Sequence, residues 1–100
     1  MGAKYLMEKI FFIGINGIGM SGLAKIMAKK GYKVYGTDPK VGPKIAEFEA
    51  MGITVYTEHK EEHVEGMDFV IRSSAISETN PEYKRAMELG IKMIKRGELL

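Results

Sequence analysis

The chain has no cysteine, so disulfides, thiolate nucleophiles and cysteine metal ligands are excluded. It has only two histidines, His59 and His63, too few for a zinc site built on imidazoles. A dominant charge is also lacking: 15 Lys and Arg stand against 13 Asp and Glu, a net +2. Nothing in that balance calls for nucleic acid or a membrane surface as partner. No apolar run approaches the ~20 residues of a membrane-spanning helix. The leading residues have no apolar core followed by small residues, so no secretory signal is read there. A cytoplasmic protein is the expectation.

What remains is an ordinary globular composition, 45% apolar and 28% charged. One hundred residues suit a single domain with a single core. A chain of this size buries roughly two-thirds of its unfolded surface. Met7 is a candidate native start. Met1 to Leu6 would then be a tag or short extension, and the expected division is residues 1–8 as tag or N-terminal extension and residues 9–100 as the domain.

The chain is organised around Phe11-Phe12-Ile13-Gly14-Ile15-Asn16-Gly17-Ile18-Gly19-Met20-Ser21-Gly22. An apolar run meets a glycine cluster, and the cluster opens a helix-like segment. That order builds a phosphate site: the strand points at the ligand, glycines admit it to the backbone, and the free N–H groups of the first helical turn face the anion. The dinucleotide fingerprint G-x-G-x-x-G would place glycine at the first, third and sixth positions. Here these hold Gly14, Asn16 and Gly19, with an extra glycine at Gly17. Asn tolerates left-handed backbone better than most residues, so the turn survives the exchange. Taken alone, the text also suits a tight strand-to-helix turn with no ligand.

Five strands alternating with helices are read along the chain. Strand one is Lys9 to Ile13, continuously apolar as a strand covered on both faces should be. A helix from about Ile18 to Lys30 places Met20, Leu23, Ala24 and Met27 on one face. Gly22 inside it is a poor helix former, which suggests close packing of helix on strand. Strand two is Lys33 to Gly36, followed by Asp38, an acidic residue at the distance where a dinucleotide fold binds a ribose hydroxyl. A local turn bond explains Asp38 equally simply. The next helix is about Pro43 to Met51, then strand three, Ile53 to Tyr56. Thr57 to Gly66 is polar, with one helical turn near Glu61 to Val64, and His59 and His63 read as solvated there. Strand four is Phe69 to Arg72, leading into Ser73, Ser74 and Ala75. Arg72 can reach an anion or solvent. Asn80-Pro81 starts a helix, Asn as N-cap and Pro in the first turn, with Tyr83, Ala86 and Met87 sharing a face. Strand five is Ile91 to Ile94, and the last residues form a turn.

Short connections and alternating elements predict an α/β fold, a Rossmann-like doubly wound parallel sheet of five strands. Right-handed crossovers predict the strand order 3-2-1-4-5. The ends of strands one and four then flank the switch point. Gly14–Ser21 and Ser73–Ala75 should converge there, with Asp38 approaching from strand two.

With these residues laid out, the chain resembles the N-terminal domain of the Mur ligases, the ATP-dependent amino-acid-adding enzymes of peptidoglycan synthesis. The matching text is Phe12-Ile13-Gly14-Ile15 with Gly17-Ile18-Gly19-Met20-Ser21-Gly22, then Gly36-Thr37-Asp38, Ser73-Ser74-Ala75-Ile76, Asn80-Pro81-Glu82 and Arg96-Gly97-Glu98-Leu99-Leu100. The resemblance covers nearly everything after Lys9. It implies that the ligand is the uridine diphosphate part of UDP-N-acetylmuramate rather than NAD. Ile15, Asn16, Gly17, Ile18, Gly19, Met20 and Ser21 would cradle the diphosphate. Asp38 would lie near the uridine, Ser73, Ser74 and Ala75 would line the opposite wall, and His59 would be a contact. Three residues depart from the family text: Asn16 and Glu58 stand where glycine is usual, and Arg72 where an apolar or small residue is.

The family's ATP loop, Gly-x-x-Gly-Lys-Thr, does not occur in these 100 residues. The resemblance therefore implies a chain that binds substrate without catalysing. It carries no catalytic residue, no metal ligand and no cofactor of its own. ATP, Mg²⁺ and L-alanine would be handled by the family's central and C-terminal domains. Met20-Ser21-Gly22 favours the alanine-adding members over those that recycle murein tripeptide. The other reading is the NAD-binding domain of an oxidoreductase, carried by Gly14, Gly19 and Asp38. A non-enzymatic interaction module is the third.

Overall fold

The apolar runs become five parallel strands in the computed structural model, which describes residues 8–99. Most of the expected leading extension, residues 1–8, lies outside the described residues. The strands are β1 (Lys9–Ile13), β2 (Lys33–Thr37), β3 (Thr54–Tyr56), β4 (Phe69–Arg72) and β5 (Lys92–Lys95). Their spatial order is β3-β2-β1-β4-β5, as the crossover rule predicts. Three α-helices accompany them: α1 (Met20–Lys29), α2 (Ile45–Ala50) and α3 (Pro81–Leu89). Short 3₁₀ turns cover Gly42–Lys44, Glu61–Val64 and Arg96–Leu99.

The unbroken apolar text of β1 follows from its central place. Successive side chains point to opposite faces, and both faces are covered. Ile10 and Phe12 pack with Met20 and Ala24 of α1 and Phe48 of α2. Phe11 and Ile13 pack on the other face with Val64, Val70 and Ala86. Phe11 and Phe12 are both 0% exposed, and each such burial is worth about 1.5–3 kcal/mol.

Helix ends obey their capping residues. Asn80 Oδ1 accepts the N–H groups of Glu82 at 2.8 Å and Tyr83 at 3.1 Å, so the cap forms as the sequence indicates. α1 starts at Met20 rather than Ile18 because Gly19 has φ +78° and stands outside the helix as its N-cap. β2 runs one residue further than expected, since Thr37 pairs with both Ile13 and Tyr56.

Two packing expectations are corrected. A Cβ at Gly22 would meet nothing within 4 Å, so this exposed glycine makes no close helix–strand contact. The crowded glycine is Gly36 in β2, where a Cβ would stand 2.6 Å from Ile15 Cδ1 and 2.8 Å from Ile15 Cβ. In α3, Met87 is 59% exposed. The buried pair on that helix is Glu82 and Ala86, four residues apart and thus on one face.

Candidate functional site

β1 delivers the chain to the turn Gly14–Gly19 at its carboxyl end. Gly14 adopts φ +83°, and the turn folds back on the end of β2. Thr37 O accepts the N–H of Gly14 at 2.8 Å and of Ile15 at 3.0 Å. Asp38 Oδ2 accepts the N–H of Asn16 at 2.9 Å, and Oδ1 that of Lys40 at 2.9 Å. Gly17 N–H donates to Gly14 O, and Met20 N–H to Gly17 O. Those bonds hold the turn and take its first four amides out of play. The amides of Ile18, Gly19, Ser21 and Gly22 have no protein partner among the described residues. They sit at the start of α1, whose first turn carries no acidic residue. A helix N-terminus with open N–H groups and no carboxylate of its own favours an external anion.

β4 supplies the facing wall. Ser73 N–H donates to Ile13 O at 3.1 Å, which brings the serine loop against the turn. A Cβ at Gly14 would lie 3.2 Å from Ser73 Cβ, and one at Gly17 3.6 Å from Ser73 Oγ. The two segments meet, as the switch-point argument expects. Between them lies a cleft of about 360 Å³ lined by Ile18, Gly19, Met20, Ser73, Ser74, Arg96 and Gly97. Its lining includes one guanidinium and two hydroxyls and no carboxylate. Arg96 Nε donates to Gly19 O at 3.2 Å, so the cation is held at the mouth of the turn. Sequence reasoning missed Arg96 as a site residue. It lies 77 positions from its partner, and only the register of β5 carries it there.

The other candidate residues fall as follows. Ile15 is 0% exposed and Met20 is 1% exposed, so both side chains belong to the core. Ile18 projects fully into solvent. Asn16 Nδ2 donates to Lys40 O at 3.3 Å, and its Oδ1 is buried without a partner. Ser21 is half-buried, while Ser74 and Ala75 are exposed. Ser73 Oγ accepts Ala75 N–H at 3.2 Å. Asp38 does make the local turn bond, and it also fastens Asn16; it does not line the cleft. Arg72 lies over the Tyr83 ring at 5.2 Å, a cation–π contact at the end of β4.

His59 is not in that cleft either. Its Nδ1 lies 2.7 Å from Oε1 of Glu82, a carboxylate that is 0% exposed. His63 is corrected from the solvated reading: its side chain is 10% exposed, bonds Glu82 Oε2 at 2.7 Å, and stacks on Tyr56 at 3.9 Å. Among the described residues no three His, Asp or Glu side chains form a group able to hold a metal ion. No helix among them is long and apolar enough to cross a membrane.

Residues 9–100 match the model of the Mur ligase family, catalytic domain. The chain is 61% identical over 94 residues to the UDP-N-acetylmuramate–L-alanine ligase of Fusobacterium nucleatum, covering 94% of this chain and 20% of that protein. Among solved structures it superposes on the UDP-N-acetylmuramate–alanine ligase of Thermotoga maritima with a TM-score of 0.84 at 32% identity, covering 91% of this chain and 21% of that one. It superposes also on the UDP-N-acetylmuramate:L-alanyl-gamma-D-glutamyl-meso-diaminopimelate ligase of Neisseria meningitides, with a TM-score of 0.82 at 29% identity over 94% of this chain and 30% of that one. The chain spans about a fifth of the length of the curated relatives it matches.

Proposed function

The chain belongs to the Mur ligase family, and on that premise we propose that it binds the UDP moiety of UDP-N-acetylmuramate for an ATP-dependent ligase that adds L-alanine in peptidoglycan synthesis. One observation carries the reading. The cleft between Gly19 and Ser73 lies at a helix N-terminus where the amides of Ile18, Gly19, Ser21 and Gly22 are open, and its lining holds Ile18, Gly19, the Arg96 guanidinium and two serine hydroxyls, with no carboxylate. A diphosphate supplies the complementary charge and acceptors. Helix N-termini, backbone N–H groups and arginine are the usual means of holding it.

In this reading the chain binds and orients, and ligation requires other parts of the full-length ligase. ATP and L-alanine are assigned to those parts. Mg²⁺ is assigned there too, with the ATP phosphates it accompanies. The protein would be cytoplasmic, where the ATP pool that such a ligase draws on resides. Nucleic acid and membrane are not partners in this reading.

The NAD alternative depends on Asp38 meeting a ribose. That carboxylate already accepts two backbone N–H groups, which leaves it less free to do so. Calorimetric titration with UDP-N-acetylmuramate, UDP, NAD and ATP separates the two. Saturable binding of the two uridine ligands alone supports the proposal. Binding of NAD alone, or of none of the four, refutes it. ATP-dependent alanine ligation by the chain itself would refute its assignment as a binding unit.

A further inference from the structure

Glu82 is the least expected residue in the core. It lies in the first turn of α3, where an acid suits the helix dipole, yet it is 0% exposed. Its Oε2 accepts from Thr37 Oγ1 at 2.6 Å, His63 Nδ1 at 2.7 Å and Lys60 N–H at 3.3 Å. Its Oε1 accepts from His59 Nδ1 at 2.7 Å. A carboxylate offers about four acceptor sites, so these donors fill it. Facing a carboxylate, each imidazole keeps its proton on Nδ1, and neither Nε2 has a protein partner among the described residues. Such a group is held stiffly, because leaving a buried charge short of donors is strongly unfavourable.

Thr37 links this carboxylate to the cleft. Its side chain donates to Glu82, and its carbonyl accepts the N–H of Gly14 and Ile15. The next residue, Asp38, accepts the N–H of Asn16. Three successive amides of the glycine turn therefore hang on two residues at the end of β2, and the hydroxyl of the first of these, Thr37, is bound by Glu82. The same carboxylate ties in the loop after β3 through His59, Lys60 and His63, and the start of α3.

We propose that Glu82 is a positioning residue for the nucleotide cleft: through Thr37 it holds the end of β2, and with it the glycine turn, where the open amides can meet a diphosphate. This role rests on nucleotide binding at the cleft, and the experiment keeps the two apart. Thr37→Val removes only the hydroxyl donor and keeps the shape. Thr37→Ser keeps the donor and removes a methyl group. Backbone amide shifts of the ligand-free protein are recorded for each, then UDP affinity. The positioning role predicts that Thr37→Val displaces the Gly14, Ile15 and Asn16 resonances and weakens UDP binding roughly tenfold. Thr37→Ser should leave both close to wild type. A merely packing role predicts the reverse order, with the serine variant the more damaged. Glu82→Gln, which puts a donor among donors, should shift the same turn amides and change the Nδ1 ¹⁵N signature of both histidines. If Glu82→Gln does not fold, the Thr37 pair decides alone. Unmoved turn amides in Thr37→Val would overturn the inference. Absence of UDP binding by the wild-type protein would overturn nucleotide binding at the cleft, and with it the positioning role.

Discussion

Gly36→Ala should damage the protein out of proportion to one methyl group. Gly36 lies in β2, paired with Phe12 on one side and Val55 on the other. Its φ is not in the left-handed region, so alanine meets no backbone penalty there. The conflict is one of space. The new Cβ would stand 2.6 Å from Ile15 Cδ1, 2.8 Å from Ile15 Cβ and 3.0 Å from Phe12 O. A rotamer change can move the first of these atoms. It cannot move the other two, which belong to the backbone or sit directly on it. Overpacking of this kind typically costs about 1–3 kcal/mol, and two immovable contacts place this case in the upper half of that range. For a domain this small, about 2–3 kcal/mol lowers Tm by roughly 10–20 °C. Ile15 follows Gly14, so its displacement enters the glycine turn, and UDP affinity should fall as well. Gly22→Ala is the control. It adds a Cβ in open space within α1 and should raise stability by about 0.5–1 kcal/mol. Thermal and urea unfolding of both variants measure the contrast. A Gly36→Ala protein within about 0.5 kcal/mol of wild type would refute the reasoning.

Other perturbations test the cleft and the surface. Arg96→Ala should weaken UDP binding by about 1.5–3 kcal/mol, the range for a hydrogen bond to a charged group, with unfolding nearly unchanged; equal affinity in the titration would remove Arg96 from the site. Gly17→Val should abolish UDP binding while the fold persists, because the side chain grows from a point 3.2 Å from Gly14 O and 3.6 Å from Ser73 Oγ, between the two walls; calorimetry and circular dichroism check the two halves of that statement. Lys25 donates to Glu47 and, by hydrogen bond and then charge, holds the Glu47 carboxyl below its ordinary value of 4.5. A depressed carboxyl contributes stability above its unfolded value that is lost as pH falls through its folded value. Glu47→Gln should therefore flatten a shallow decline in stability below pH 4.5, a small effect that salt reduces because both groups face solvent; an unchanged stability–pH profile would leave the pair without energetic weight.

The elements legible in the sequence were those whose signal is local. Phe11-Phe12-Ile13 reads as a doubly covered strand because the apolar run itself lacks the alternation of a half-exposed one. Asn80-Pro81 reads as a helix start because cap and helix are adjacent in sequence. The convergence of Gly14–Gly19 with Ser73 followed from crossover handedness, a rule about chain direction rather than side chains. What stayed hidden depends on distant partners. The partners of Glu82 lie 19, 22, 23 and 45 positions away, and a first-turn glutamate ordinarily reads as a complement to the helix dipole. His63 read as solvated because its partners Tyr56 and Glu82 belong to different elements. Helical spacing placed Tyr83, Ala86 and Met87 together, but only tertiary packing decides that the covered stripe runs through Glu82 and Ala86. Gly36 carries no local mark of its crowding by Ile15.

Binding of a uridine diphosphate by the open amides at the start of α1, with the serine wall and Arg96, is tested most directly by amide chemical-shift mapping with UDP. The largest changes should fall on Ile18, Gly19, Ser21, Gly22, Ser73 and Ser74, saturating together with one dissociation constant. Changes confined to other surfaces, such as the hollow lined by Tyr56, Glu58, Lys60 and His63, with those amides unmoved, would contradict it.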